Sequence, residues 1–285
     1  MRRMKAIKLL LAASTLALAA CGGGTPEETE DAHAPVDAQL LAAATGSTAA
    51  MTRGSVPSAP GASQVTLSGH TFEVRNGSGG PGPNAWSNQN VWVDANGWLH
   101  LKISQQAGQW SCAEIWSDEA LGFGTYQFKI AGHPETLDRN VVLGLFNYPT
   151  PDIGPDGTNE IDIEFATWGA AQTQHGNWTV WPAVAGPAQT THAWDVANTG
   201  GLSTHRFNWT SRQIAFQSLA GFTNRNTGLY ANWTFAPTDF LSRVPQHPMP
   251  LHMNFWLFQG QAPSDAQEAE IVVTEFLFTP ARRSR

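Results

Sequence analysis

One run of seven residues constrains this chain more than any other: Asn159-Glu160-Ile161-Asp162-Ile163-Glu164-Phe165. Carboxylates at Glu160, Asp162 and Glu164 alternate with Ile161, Ile163 and Phe165. A period of two is the mark of a strand with one buried face, and the β-branched isoleucines favour the same assignment. The three apolar side chains then enter a core while the three acids share the opposite face.

Three like charges on one face need a reason. Same-face neighbours on a strand stand about 7 Å apart. If the two glutamates lean together on a curved strand, their carboxyls approach to about 6 Å and repel by roughly 2.8 kcal/mol, about two pKa units, at an effective dielectric near 20. One glutamate is then largely protonated near neutral pH beside an ionised partner, the pairing that a retaining glycosidase uses. Burial raises a carboxyl too, so the protonated partner can equally be the desolvated one. Two blander readings stand beside this: a solvated outer face, or oxygen ligands for a hard cation. Only 14% of the chain is Asp, Glu, Lys or Arg, so three acids in five residues are a local concentration.

The Glu-x-Asp-x-Glu spacing resembles the active-site strand of glycoside hydrolase family 16, the group of lichenases, laminarinases and xyloglucan transglycosylases. The resemblance implies an all-β jelly-roll sandwich of two antiparallel sheets with a concave substrate cleft. It makes Glu160 the nucleophile, Glu164 the acid/base and Asp162 the support of the nucleophile. It covers roughly residues 65 to 280. Ser111-Cys112-Ala113-Glu114-Ile115-Trp116, leading into Gly122–Phe128, is similar to a lichenase stretch whose glutamate contacts sugar, which points to Glu114. An arginine common two residues further on in the family is Trp116 here. Phe146 and Tyr148 close an apolar strand at the place of the family's aromatic strand end and are expected as sugar platforms. Trp168 stands where relatives carry Leu-Gly, and His175 and Trp178 where they carry a polar, aromatic strand lining the cleft. Met253-Asn254-Phe255-Trp256 matches a lichenase Met-Asn-x-Trp and marks Asn254 and Trp256 as substrate contacts. Parity agrees: Leu251, Met253, Phe255 and Leu257 form one apolar face, His252, Asn254, Trp256 and Phe258 the other.

Exposed aromatic rings suit sugars, whose C–H faces stack on them. Of the 12 tryptophans, four or five are expected to line a groove, with Trp209 structural. The expected activity is a retaining endo-glycosidase on a β-glucan. The unbulged acidic strand favours mixed-linkage (lichenan-type) or β-1,4-linked backbones. A transglycosylase on a glucan such as xyloglucan uses the same residues. A non-catalytic sugar-binding jelly roll needs the aromatic platforms but not three aligned acids. No cofactor is required and no residue cluster identifies a metal site, although some relatives hold a structural Ca²⁺ away from the cleft.

The chain organises around that domain. Arg2, Arg3, Lys5 and Lys8 precede a short apolar run, and Leu18-Ala19-Ala20-Cys21 resembles a bacterial lipobox, so residues 1–20 are expected to be a lipoprotein-type signal and Cys21 the lipid attachment site. The expected location is the bacterial cell envelope, anchored to membrane through that lipid, or secretion if the lipobox is not used. Residues 21–62, rich in Gly, Ala, Thr, Ser and Pro, read as a disordered tether, and residues 63–282 as the jelly-roll domain. Without the four basic residues of the leader, 12 Lys and Arg face 23 Asp and Glu, a net of about −11. Such a surface repels nucleic acid and leaves a neutral polysaccharide as the partner of a monomer. With Cys21 assigned to lipid, Cys112 has no disulfide partner. Strands are expected at Val91–Val93, Trp98–Ser104, Tyr126–Ala131, Val141–Asn147, Glu160–Phe165, His205–Trp209, Ile214–Leu219, Leu251–Phe258 and Glu270–Phe278.

Overall fold

The computed structural model of the protein describes residues 39–40, 54–171 and 174–282. The expected signal, Cys21 and most of the expected tether lie outside the described residues. The described part is a sandwich of two large antiparallel sheets, the jelly roll that the alternating segments imply. The first sheet runs in the order β1 (Gln64–Leu67), β2 (His70–Val74), β8 (Ala113–Leu121), β17 (Met249–Leu257), β10 (Val141–Asn147), β11 (Ile161–Phe165), β12 (Gly176–Val180), β13 (Thr190–Trp194). The second runs β16 (Leu229–Phe235), β15 (Ile214–Ala220), β14 (Leu202–Trp209), β9 (Gly124–Ala131), β18 (Ala269–Pro280), β6 (Leu99–Gln106), β5 (Val91–Val93). A short strand β7 (Gln109–Ser111) pairs with β6, and β3 (Gly77–Gly79) and β4 (Asn84–Trp86) form a separate hairpin.

The core lies between the sheets and follows parity. Ile161, Ile163 and Phe165 of β11 are fully buried, as are Leu143 and Leu145 beside them and Leu251, Met253 and Phe255 on β17. Tyr126, Phe128, Phe207 and Phe216 meet them from the second sheet. Each such side chain, fully buried, contributes on the order of 1.5–3 kcal/mol. Trp209 belongs to this layer as expected, its indole donating to the Pro245 carbonyl oxygen at 2.9 Å. Cys112 is buried and free, with its thiol pushed up by desolvation to about 12.

The expected strands are present, most with ends moved by a residue or two; β14 begins earlier, at Leu202. The boundary of the tether needs correction. Val56 bridges to Thr66 and Ser58 to Val93, and the Gly61 N–H donates to the Asn88 carbonyl oxygen at 2.9 Å. The fold therefore begins by Val56 rather than at residue 63. Leu40, inside the expected tether, lies against Gly201: a Cβ there would sit 2.7 Å from its Cδ2.

Candidate active site

The outer face of the first sheet is read off its register. Residues facing one another across neighbouring strands of an antiparallel sheet point to the same side, so each register line is a rank of side chains. One rank runs Trp116, His252, Phe146, Asp162, Thr179. The next runs Glu114, Asn254, Gly144, Glu164, Asn177. Glu160 stands one residue before β11, where its carbonyl oxygen accepts the Trp181 N–H at 2.9 Å. The alternation Glu-Ile-Asp-Ile-Glu thus places each of the three acids in a different rank of one floor.

Above this floor is a cleft of about 780 Å³. Glu160 and Glu164 both line it, together with Glu114, Trp116, Phe146, Tyr148, Asn254 and Trp256 from the expected set. A Pro- and Gly-rich loop, Pro149 to Gly157, forms one wall, tied down where Tyr148 Oη donates to Asp156 Oδ1 at 2.7 Å. Asp162 is 2% exposed and does not reach the cleft surface.

Gly144 makes room in the floor for a neighbouring side chain. It lies between Asn254 and Glu164 in its rank, and a Cβ on it would come within 2.4 Å of Asn254 Oδ1. Without that carbon the Asn254 carboxamide lies over the main chain. Its Oδ1 is buried without a hydrogen-bond partner.

Glu114 is 5% exposed, and a buried carboxylate needs partners. Arg75, just after β2, donates to Glu114 Oε2, and His252 Nδ1 lies 3.1 Å from Oε1. The Arg75 guanidinium also sits over the Trp86 ring, 4.4 Å from its centroid. The arginine that meets this glutamate comes from the end of the neighbouring strand β2, not from position 116. Position 116 is thereby left to an indole, which stacks near His252 at 6.2 Å.

Repulsion alone would raise one acid of the cluster and leave its partner ionised. Instead, burial raises all three. Glu160 is pushed up to about 8, first by desolvation and then by the Glu164 charge. Glu164 is pushed up to about 7 by desolvation. Asp162 rises well above the usual carboxylate range, chiefly by desolvation with added repulsion from both glutamates. A hydrogen bond between Asp162 and Glu160 raises the former and lowers the latter, so the proton they share belongs to Asp162 and favours an ionised Glu160.

Three expected contacts are corrected. Trp178 pairs with Ile163 and is fully buried, stacked on Trp194 at 4.7 Å and Phe216 at 5.6 Å; it is core. His175 is half-buried outside the cleft lining, where the Glu135 charge opposes the lowering that burial imposes on it. Trp168 packs behind the cleft against Trp256 and Phe258, with ring centroids at 6.5 and 5.6 Å. Three tryptophans, Trp116, Trp181 and Trp256, line the cleft rather than four or five. Arg75 and Trp181 were not foreseen. Parity within β12 held the signal for Trp181, which shares its phase with Asn177 and Thr179, whereas Trp178 shares that of buried Val180. Nothing local announces Arg75. Among the described residues no group of three or more His, Cys, Asp or Glu side chains is arranged to hold a metal.

The family profile for glycosyl hydrolases family 16 matches residues 83–274. No curated protein matches the chain significantly. Among solved structures, the chain is similar to a Bacillus licheniformis beta-glucanase at 22% identity and TM-score 0.54, over 74% of this chain and 92% of that one. A Bacteroides ovatus mixed-linkage glucan GH16 protein in complex with G4G4G3G product is 13% identical, with TM-score 0.56 over 73% and 94% of the two chains. A Mycobacterium tuberculosis protein, described as an immunostimulatory antigen and pseudo beta-1,3-glucanase, is 18% identical, with TM-score 0.57 over 82% and 98%. At these identities the likeness is one of fold.

Proposed function

The chain belongs to glycosyl hydrolase family 16, and from that premise we propose that it is a retaining endo-glycosidase acting on a neutral β-glucan, with mixed-linkage glucan preferred. The observation that carries this reading is the acid floor: Glu160, one residue before β11, and Glu164 within it reach one cleft, with Asp162 enclosed between them and hydrogen-bonded to Glu160.

Glu160 attacks the anomeric carbon and forms a glycosyl-enzyme ester, while Glu164 gives its proton to the departing glycosidic oxygen. Glu164, now a base, takes a proton from water, whose oxygen attacks the same carbon and releases Glu160. Two inversions leave the configuration retained. The raised Glu164 suits the acid role near neutral pH. Glu160 is raised further, to about 8, and the Asp162 hydrogen bond is the contribution that works against its protonation. Aromatic rings at Trp116, Phe146, Tyr148 and Trp256 offer faces for sugar stacking. Four carboxylates, Glu114, Asp156, Glu160 and Glu164, face the cleft against one arginine, which disfavours sulfated glycans.

The test is a panel of lichenan, laminarin, xyloglucan, agarose and carrageenan, with reducing ends counted and the anomer of the first product read by NMR. New reducing ends of retained configuration from lichenan are expected, none from carrageenan, and Glu160→Gln should bind glucan without cleaving it. Binding by the wild type with no reducing ends from any neutral glucan would leave the non-catalytic alternative. Label transfer to an added xyloglucan oligosaccharide without a gain in reducing ends would mark a transglycosylase. The basic, apolar leader and Cys21 support a lipid-anchored envelope location. Labelled palmitate should enter the wild type and not Cys21→Ala.

A further inference from the structure

Trp181 holds two of the three acids. Its main-chain N–H donates to the Glu160 carbonyl oxygen at 2.9 Å, and its indole Nε1–H donates to Asp162 Oδ2 at 3.0 Å. The ring also lines the cleft. It lies against Gly157, whose φ of +80° favours glycine and whose missing Cβ would stand 3.7 Å from the nearest ring carbon. On the next residues the loop is pinned in register: the Asn159 N–H donates to the Pro182 carbonyl oxygen at 2.8 Å and the Asn159 amide to that of Ala183 at 3.1 Å.

We propose that Trp181 is a positioning residue of the acid cluster, its indole N–H fixing one oxygen of Asp162 so that the other is turned to Glu160. An indole is a donor only. It therefore claims Oδ2 as an acceptor and leaves the Asp162 proton on Oδ1, directed at the nucleophile. A carboxyl with neither oxygen claimed rotates between two equivalent placements, and its proton faces Glu160 only part of the time. The main-chain bond from the same residue fixes the height of Glu160 relative to Asp162. This role rests on the glycosidase reading and goes beyond it, because it assigns the geometry of the Asp162–Glu160 hydrogen bond to a residue outside the acidic strand.

The test is Trp181→Phe, which keeps an aromatic ring and removes the donor, assayed on whichever glucan the wild type cleaves. We expect kcat to fall roughly twofold to tenfold, the range of one neutral hydrogen bond, with KM unchanged within experimental error. In an Asp162→Ala background the same substitution should leave kcat unchanged, because the acceptor is already gone. A kcat loss of equal size in both backgrounds, a rise in KM alone, or no change at all would overturn the role. If Trp181→Phe fails to fold, indole N–H resonances of ¹⁵N-labelled protein decide instead: one should shift on Asp162→Ala, and no shift would sink the proposal. A wild type that releases no product from any glucan ends the glycosidase reading itself, which is a distinct outcome from an active enzyme indifferent to Trp181→Phe.

Discussion

The two outer faces of the sandwich treat charge in opposite ways. On the second sheet, charges are matched: Lys129 pairs with Glu275 and Lys102 with Glu268 at 2.6 Å, and Glu270 is hydrogen-bonded to the His100 ring at 2.6 Å. Arg206, nearly buried there, donates to Gln217 at 2.8 Å and also to Asn226, closing its fork on neutral acceptors. On the first sheet, no ion pair among the described residues reaches Glu160, Asp162 or Glu164, and the cleft's arginine is held by Glu114. Matched charge is inert. Unmatched charge, enclosed by neighbours and open on one side, has raised proton affinity and a free path to a ligand. The contrast separates a face whose charges are paired from the face that carries the cleft.

The strongest way to break the contrast is to neutralise one of the unmatched acids. Glu164→Gln should cut glucan hydrolysis by roughly 10²–10⁴, the usual contribution of a general acid/base. An aryl glycoside with a good leaving group does not need that acid, so its first step should be largely restored, seen as a burst of released phenol. Hydrolysis of polymer at wild-type rates by this variant would remove Glu164 from the mechanism.

Gly144→Ala tests the floor rather than the acids. The new methyl carbon would stand 2.4 Å from Asn254 Oδ1, so the carboxamide must move from beside Glu164. We expect kcat/KM to fall on the order of tenfold, by misplacement of the sugar, and Gly144→Ala to add little further loss in an Asn254→Ala background, where the carboxamide is already gone. Steady-state kinetics on the two variants checks this.

A smaller effect follows from the proton balance. Glu160 and Glu164 bind protons more tightly folded than unfolded, their values raised from 4.5 to about 8 and about 7. The stability they contribute is therefore full below about pH 4.5 and is lost as pH rises through 7 and 8. The double variant Glu160→Gln/Glu164→Gln lacks this loss. Its melting temperature relative to wild type should climb by a few degrees between about pH 5 and pH 9, measured by calorimetry. A difference that stays flat with pH would mean the two carboxyls are not raised.

The smallest effect belongs to the matched face. Lys102→Gln removes the partner of a half-exposed Glu268 and should lower unfolding free energy by under about 1 kcal/mol. Glucan cleavage should not change, and a measurable loss of activity would blur the division between the faces.

How far the sequence carried the reading depended on phase. In β11 and β17 the alternation is clean, so the inner and outer residues of both were legible before any coordinates. The same rule applied to Gly176–Val180 puts Asn177 and Thr179 outward and Trp178 inward. Trp178 was misplaced because a resemblance, rather than its own phase, was used to assign it. His175 and Trp168 lie beyond strand ends, where the period of two no longer fixes a direction. Arg75 was illegible for a different reason: it meets Glu114 only because β2 and β8 are neighbours in the sheet, and strand order is not written in local pattern. The start of the fold was misjudged because Gly54 to Gly61 pairs through single bridges, with no repeating pattern to read.

The two glutamates are mounted differently. Glu164 sits inside a ladder bonded on both sides, while Glu160 is the first residue past a joint, following Asn159 at φ +55°. On the glycosidase reading proposed above, a shift of the proline-rich wall would reach Glu160 through the Asn159 joint before it reached Glu164. Sequence change in that wall would then alter where Glu160 meets a sugar while the seat of Glu164 stays as it is.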